Sequence, residues 1–151
     1  MAVDIKLIKQ LREKTGAGVA DVREALDASS NDLKKAEEIL KKRGFERAAK
    51  KGDRATNAGL IESYIHQGRV GAIVEVLCET DFVARTDEFK NLAHELAMQV
   101  ASMNPKGSSA LFKQEYIRDS RMTVSDLVKQ AIAKLGENIT VGRISRFELG
   151  K

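Results

Sequence analysis

Leu60-Ile61-Glu62-Ser63-Tyr64-Ile65-His66-Gln67-Gly68-Arg69-Val70-Gly71-Ala72-Ile73-Val74-Glu75-Val76-Leu77-Cys78, residues 60–78, is the stretch whose reading decides the fold class. Apolar and polar side chains alternate on both sides of Gln67-Gly68-Arg69. That is the two-residue period of strands joined by a tight turn, so the stretch reads as a β-hairpin. Alternation puts Val70, Ala72, Val74, Val76 and Cys78 on one face of the second strand, which makes Cys78 a small core residue by default. A cysteine nucleophile would need a base beside it, and His66, at the end of the partner strand, is the nearest candidate in sequence.

Downstream, the period lengthens to that of a helix. Thr86 is placed to cap it, Asp87 and Glu88 suit its first turn, and Phe89, Leu92, Ala93, Leu96, Ala97, Val100 and Met103 form its apolar stripe. Pro105-Lys106-Gly107-Ser108-Ser109 ends that element. Thr123-Val124-Ser125-Asp126 has the spacing of a capping box with Asp in place of Glu or Gln. It opens a last helix on Leu127, Val128, Ala131, Ile132 and Leu135 that stops at Gly136. The tail from Ile139 to Leu149 alternates again and predicts a third strand joining the hairpin.

Upstream, the first segment reads as three short helices. Asp4 caps a helix carrying Ile5, Ile8 and Leu11, and Thr15-Gly16-Ala17-Gly18 stops it. Val19, Val22, Ala25 and Leu26 stripe the second, with Ala28-Ser29-Ser30-Asn31 as its turn. Leu33, Ala36, Ile39 and Leu40 stripe the third, which Gly44 is placed to end as the residue just past the helix. From there to Gly59 the pattern loosens into a basic linker or frayed helix. The fold class is therefore α+β: a three-helix unit, then helices flanking a small antiparallel sheet.

A chain of 151 residues with 42% hydrophobic and 32% charged side chains can bury a real core and carries no low-complexity signal. Its single cysteine excludes an internal disulfide, and one cysteine with two histidines, His66 and His94, cannot furnish a structural zinc site. No apolar run of signal-peptide or membrane-spanning length occurs, so the expected location is a reducing cytoplasm. The first 58 residues hold 14 Lys and Arg against 10 Asp and Glu, while the remainder hold 12 of each, so the whole excess of positive charge lies early. It centres on Lys41, Lys42, Arg43, Arg47, Lys50, Lys51 and Arg54. Such a run suits either a solvated helix end or a grip on phosphate or an acidic protein face. Phe45 is its only ring, so the interleaved aromatics of a nucleic-acid surface are missing. No phosphate loop, dinucleotide fingerprint, His-Glu-x-x-His helix or Gly-x-Ser-x-Gly elbow is present. No cofactor, metal site or catalytic residue is expected.

The remaining signal is Cys78-Glu79-Thr80-Asp81-Phe82-Val83-Ala84-Arg85, just off the end of a strand. From pattern alone Phe82 either covers the sheet end or projects from a rigid edge into a partner's pocket, with Thr80 or Asp81 capping a local turn. The stretch resembles the signature of the elongation factor Ts family. Leu11-Arg12-Glu13-Lys14-Thr15-Gly16-Ala17-Gly18, followed by Asp21 and Ala25-Leu26, resembles that family's N-terminal module. Ala133-Lys134-Leu135-Gly136-Glu137-Asn138-Ile139, with Arg143 and Arg146-Phe147, resembles its core motif. Leu77 stands where the family often has asparagine. The segment between Asn104-Pro105 and Tyr116-Ile117 is shorter than in full-length relatives, and the core motifs occur once rather than in two related halves.

The resemblance implies a ubiquitin-associated-like docking domain over residues 1–52, including the basic linker, and a single-copy core of dimerisation type over 53–151. It implies a translation factor of the cytoplasm that binds elongation factor Tu, GDP-bound and nucleotide-free, and promotes exchange of GDP for GTP without making or breaking a bond. Thr80, Asp81, Phe82 and Val83 would be the wedge that disturbs the magnesium and phosphate site of the GTPase. Arg12, Ala17, Gly18, Val19 and Ala20 would dock the N-terminal module, although pattern alone equally allows Val19 as helix-start core. The single core copy, with a three-stranded sheet too small to cover itself, points to a homodimer through the core. Neither a membrane nor a specific nucleic acid is an expected partner. An adaptor for a ubiquitin-like or nascent-chain ligand, an RNA-binding protein and a cysteine-dependent enzyme are the competing classes.

Overall fold

The hairpin forms where alternation puts it. In the computed structural model, which describes residues 2–151, β1 spans Ala58–His66 and β2 spans Val70–Cys78. They pair antiparallel with Leu60 opposite Val76 and Tyr64 opposite Ala72. Gln67 and Gly68 take positive φ of 52° and 67°, the two left-handed positions of a type I′ turn, whose twist matches that of the strands. The C-terminal strand, β5 (Ile139–Glu148), pairs antiparallel with β2, giving the order β1-β2-β5. One residue too many on β5 makes a bulge opposite Glu75. The Glu75 carboxylate fills it, accepting from the Arg143 backbone N–H at 3.1 Å and its guanidinium at 3.3 Å. Those two bonds hold Glu75 below the usual carboxylate range.

Ala72, Val74, Val76 and Cys78 all face inward and are buried, as the alternation requires. Against them lies α5, Asp87–Met103, capped by Thr86 and carrying Phe89, Leu92, Ala93, Leu96, Ala97 and Val100 into the core. The last helix, α7 (Val124–Leu135), packs against α5 and the C-terminal strand, and Thr123 and Asp126 form both bonds of its capping box. Met103 departs from the expected stripe. It ends the helix half exposed, next to the left-handed Asn104 that caps it.

Two short elements lie in a region the sequence leaves unassigned: α6 (Ser108–Lys113) and a small hairpin of β3 (Glu115–Tyr116) and β4 (Asp119–Thr123). The hairpin is held by long-range polar contacts rather than by local pattern, and α6 is anchored in the core by the fully buried Leu111. The fully buried Gln99 donates to the Glu115 carbonyl at 3.0 Å and accepts from the Ile117 N–H at 3.0 Å. The Tyr116 hydroxyl donates to Glu95 at 2.8 Å.

The N-terminal three helices are α1 (Ile5–Thr15), α2 (Val19–Ala28) and α3 (Leu33–Lys50), around a small cluster of Leu11, Val22, Ala25, Leu26, Ala36 and Leu40. Asp4 and Asp32 cap α1 and α3 through their side chains. The expected stop at Gly44 is wrong: α3 runs through it to Lys50. There the glycine serves helix approach, since a Cβ at Gly44 would stand 3.1 Å from the Ala133 side chain of α7. Beyond it, Ala48 is buried in the larger core. The basic run is therefore mostly helical and partly spent in pairing. Arg47 binds Asp21 of α2 through two bonds of 2.8 and 2.9 Å, Arg43 meets Glu24 at 3.0 Å, and Arg54 meets Glu79 at 3.6 Å. The Arg47 bonds hold Asp21 below its ordinary range. Among the described residues no helix is long and apolar enough to cross a membrane.

Candidate functional site

β2 ends at Cys78, and the next residues turn sharply out of the sheet. Thr80 is extended, at φ −131° and ψ 152°, and its hydroxyl oxygen accepts from the Val83 N–H at 3.3 Å. It thereby caps the single helical turn α4, Asp81–Ala84. Val83 and Ala84 point inward and are buried, while Asp81 and Phe82 point outward. Phe82 is 81% exposed, the most exposed of the large apolar side chains among the described residues. The reading of Phe82 as a cover for the sheet end fails on that number. The half of that reading in which Thr80 caps a local turn holds. A phenyl ring left in water forgoes the roughly 2 kcal/mol that burial would return.

The base of this turn is tied down from three directions. The Glu137 carboxylate accepts from both the N–H and the hydroxyl of Thr80, at 3.0 and 2.8 Å. Glu79 accepts from the Asn138 N–H at 2.7 Å. The buried Asn138 amide donates to the carbonyls of Gly52 and Arg54, at 3.3 and 2.9 Å. Glu137 and Asn138 follow Gly136, whose φ of 79° ends α7 and turns the chain back toward β2. Sequence pattern places these residues at a helix end but gives no sign of what they touch. Apart from their place in the stretch that resembles the core motif, the signal is that two side chains rich in hydrogen-bonding groups directly follow a helix stop.

Cys78 lies below this turn, fully buried, its thiol donating to the Thr80 carbonyl at 3.2 Å. Burial pushes the thiol above its ordinary value, and the nearby Glu137 carboxylate adds to the effect. A buried thiol kept protonated is a poor nucleophile, so the geometry fits the core reading. Among the described residues no group of three or more His, Cys, Asp or Glu is placed to hold a metal ion.

The second set of candidate residues lies in the turn between α1 and α2. Gly16 ends α1 in the left-handed region, Arg12 Nε reaches the Ala17 carbonyl at 3.4 Å, and the Thr15 hydroxyl accepts from the Ala17 N–H at 3.3 Å. Arg12, Ala17, Gly18, Val19 and Ala20 are thus brought together on one braced turn. Val19, expected in the apolar stripe of α2, is instead 50% exposed at the first position of that helix.

Comparison with known proteins bears on both places. A family model described as "Elongation factor TS" matches residues 79–151, beginning at the residue before the Thr80 cap. A protein of Thermotoga neapolitana named "Elongation factor Ts" is 42% identical over 195 residues, covering 100% of this chain and 99% of that protein. The chain belongs to the elongation factor Ts family. Members from Coprothermobacter proteolyticus (40% identical over 197 residues, all of both chains) and Thermoanaerobacter sp. strain X514 (40% over 195 residues, 99% of this chain and 96% of that one) agree. These alignments are longer than the 151 residues available here, so these elongation factor Ts relatives carry internal sequence that this chain lacks.

Proposed function

We propose that this chain binds elongation factor Tu and promotes release of its GDP, so that GTP can replace it. The observation that carries the reading is the exposed Phe82, held beside Asp81 on a capped, tethered turn in a chain of the elongation factor Ts family. In this reading Thr80, Asp81, Phe82 and Val83 form a wedge. Phe82 enters a pocket of the GTPase, Asp81 meets polar groups near its magnesium and phosphate site, and the buried Val83 and capping Thr80 keep the turn rigid. Residues 1–52 act as a ubiquitin-associated-like docking domain through Arg12, Ala17, Gly18, Val19 and Ala20, and residues 53–151 act as the core.

The driving force is linkage. A protein that binds nucleotide-free GTPase more tightly than the nucleotide-bound form weakens nucleotide binding by the same factor. Each tenfold weakening takes about 1.4 kcal/mol of differential contact. Magnesium demands near-ideal octahedral geometry, so a ring that displaces the backbone around its ligands removes a large share of nucleotide affinity. No acid, base or nucleophile is required, and the chain works as an exchange factor without bond-making chemistry in the cytoplasm. Neither a membrane nor a specific nucleic acid takes part. The test is release of a fluorescent GDP analogue from bacterial elongation factor Tu. Acceleration at substoichiometric amounts of this protein is expected, and no acceleration by the folded protein with a cognate partner would sink the reading.

A homodimer through the core completes the proposal. The sheet face opposite α5 carries Ile61, Ile65, Ile73 and Phe147, all exposed, with Phe147 75% exposed. Register puts them together: Ile65 and Phe147 flank Gly71 on either side, and Ile73 lies opposite Ser63 and Ser145. A second copy of the same face stacked about ten ångströms away would bury all four, in the manner of two packed sheets. Light scattering on the full chain is expected to give twice the monomer mass, and Phe147→Asp to give a monomer that keeps its circular dichroism spectrum. A wild-type monomer at every concentration would exclude the dimer.

A further inference from the structure

Phe82 touches little of its own protein, so its direction is set at the residue where the chain leaves the sheet. That residue is Thr80, and the groups fixing it belong mostly to another element. The Thr80 N–H donates to Glu137 Oε1 at 3.0 Å and its hydroxyl donates to Oε2 at 2.8 Å, while the same hydroxyl oxygen takes the Val83 N–H at 3.3 Å. One carboxylate therefore fixes both backbone and side chain of the cap. It also orients the hydroxyl so that its lone pair faces the helical turn carrying Phe82. A carboxylate is the group this geometry calls for, because both of its oxygens accept and both donors of Thr80 point at it.

Glu137 is itself held. It follows the left-handed Gly136, and its other neighbour, Asn138, is buried and bonded to Glu79, Gly52 and Arg54. The end of α7 and the chain arriving from α3 thus meet at the foot of the wedge. We propose that Glu137 is a positioning residue for nucleotide exchange: its carboxylate holds Thr80, and through Thr80 it sets the direction in which Phe82 is presented to the GTPase. The inference rests on the exchange-factor reading. Glu137 need not touch the partner, and it acts through Phe82.

This role differs from general stabilisation in a way that kinetics resolves. Docking by the N-terminal turn does not depend on where Phe82 points, whereas the contact that expels nucleotide does. Saturation kinetics of fluorescent GDP release from bacterial elongation factor Tu would be measured with full-length wild type, Glu137→Gln, Phe82→Ala and the double variant, alongside thermal melts. Glutamine keeps the shape but replaces one acceptor by an N–H₂ that faces a Thr80 donor. Glu137→Gln is expected to lower kcat about tenfold with KM within about twofold. In the Phe82→Ala background it should cost nothing further, because a residue acting through Phe82 has nothing left to position.

Equal kcat for Glu137→Gln and wild type would overturn the proposal, and so would the same fractional loss in both backgrounds, or a rise in KM alone. Should Glu137→Gln melt below the assay temperature, Glu137→Asp, which keeps the charge and the Thr80 cap but withdraws both carboxylate oxygens from Thr80 by one methylene, is held to the same outcomes. Failure of wild type itself to accelerate release removes the exchange reading, whereas a wild type that works beside an unaffected Glu137→Gln removes this inference alone.

Discussion

Phe82→Ala should lower the stimulated rate of GDP release from elongation factor Tu about a hundredfold while leaving the fold intact. A hundredfold corresponds to ~2.7 kcal/mol, the range found when a central aromatic anchor of an interface is truncated. The second half of the prediction is as specific as the first. With 81% of the residue exposed, removing the ring leaves no cavity behind it, since the core below is closed by Val83 and Ala84. The melting temperature should therefore stay within a few degrees of wild type, as for surface substitutions generally. Complex formation should survive in weakened form, because the turn around Val19 is untouched. Stopped-flow release with a parallel melt checks all of this. A folded Phe82→Ala of wild-type activity would leave the exposed ring without the role assigned to it.

Gly59→Ala should destabilise the protein by more than about 3 kcal/mol, though it adds one methyl group to a partly exposed strand position. Gly59 has φ of +146°, and a Cβ built there would run into the Val76 carbonyl oxygen and the Leu77 Cα. Both obstacles are backbone of the central strand, so no side chain can swing aside. Relief would require β1 to move away from β2, breaking the pairing around Gly59 and Leu77. Val76 and Cys78 lie on either side of Leu77 with their side chains in the core, so the disturbance reaches fully buried packing. Urea unfolding followed by circular dichroism measures the loss. A cost under about 1 kcal/mol would mean that the strand relaxes more easily than its register suggests.

Much of this architecture is legible in the sequence because hydrophobic period reports directly on burial. The hairpin, the capped helices α1, α5 and α7 and the closing strand β5 each carry a period and a stop of their own. Gly44 shows where that reading breaks down. As a local signal it ends a helix, but the space of its missing side chain is used by Ala133, 89 residues on in sequence, and the helix continues. The hairpin of β3 and β4 is not legible in the sequence for a related reason: two short strands have no period, and Gln99, Tyr116 and Glu95 hold them by contacts across the chain. At the candidate site, Thr80 and Phe82 stand out as a cap and a ring beside a strand end. Glu137 does not, because a carboxylate after a helix stop looks the same whether it faces water or a distant threonine. Val19 shows the opposite case, an apolar side chain with helical spacing, open to a core or a docking reading, that is left half in solvent.

The unbroken α3 has a consequence for how two weak grips add. Its 18 residues span about 27 Å, with Ala36 and Leu40 set in one cluster and Ala48 in the other. Had the chain frayed after Gly44, the docking turn and the wedge would be joined by a tether, and engaging the first would raise the local concentration of the second only as far as chain entropy allows. A helix locked at both ends works as a ruler instead. In the proposed complex, once the docking turn is seated the wedge would be confined to a small volume at a fixed bearing, with most of the orientational entropy of the second contact already lost in folding. Avidity then comes from rigidity, and one added helical turn between Gly44 and Ala48 would cost more affinity than an insertion of the same length in a loop.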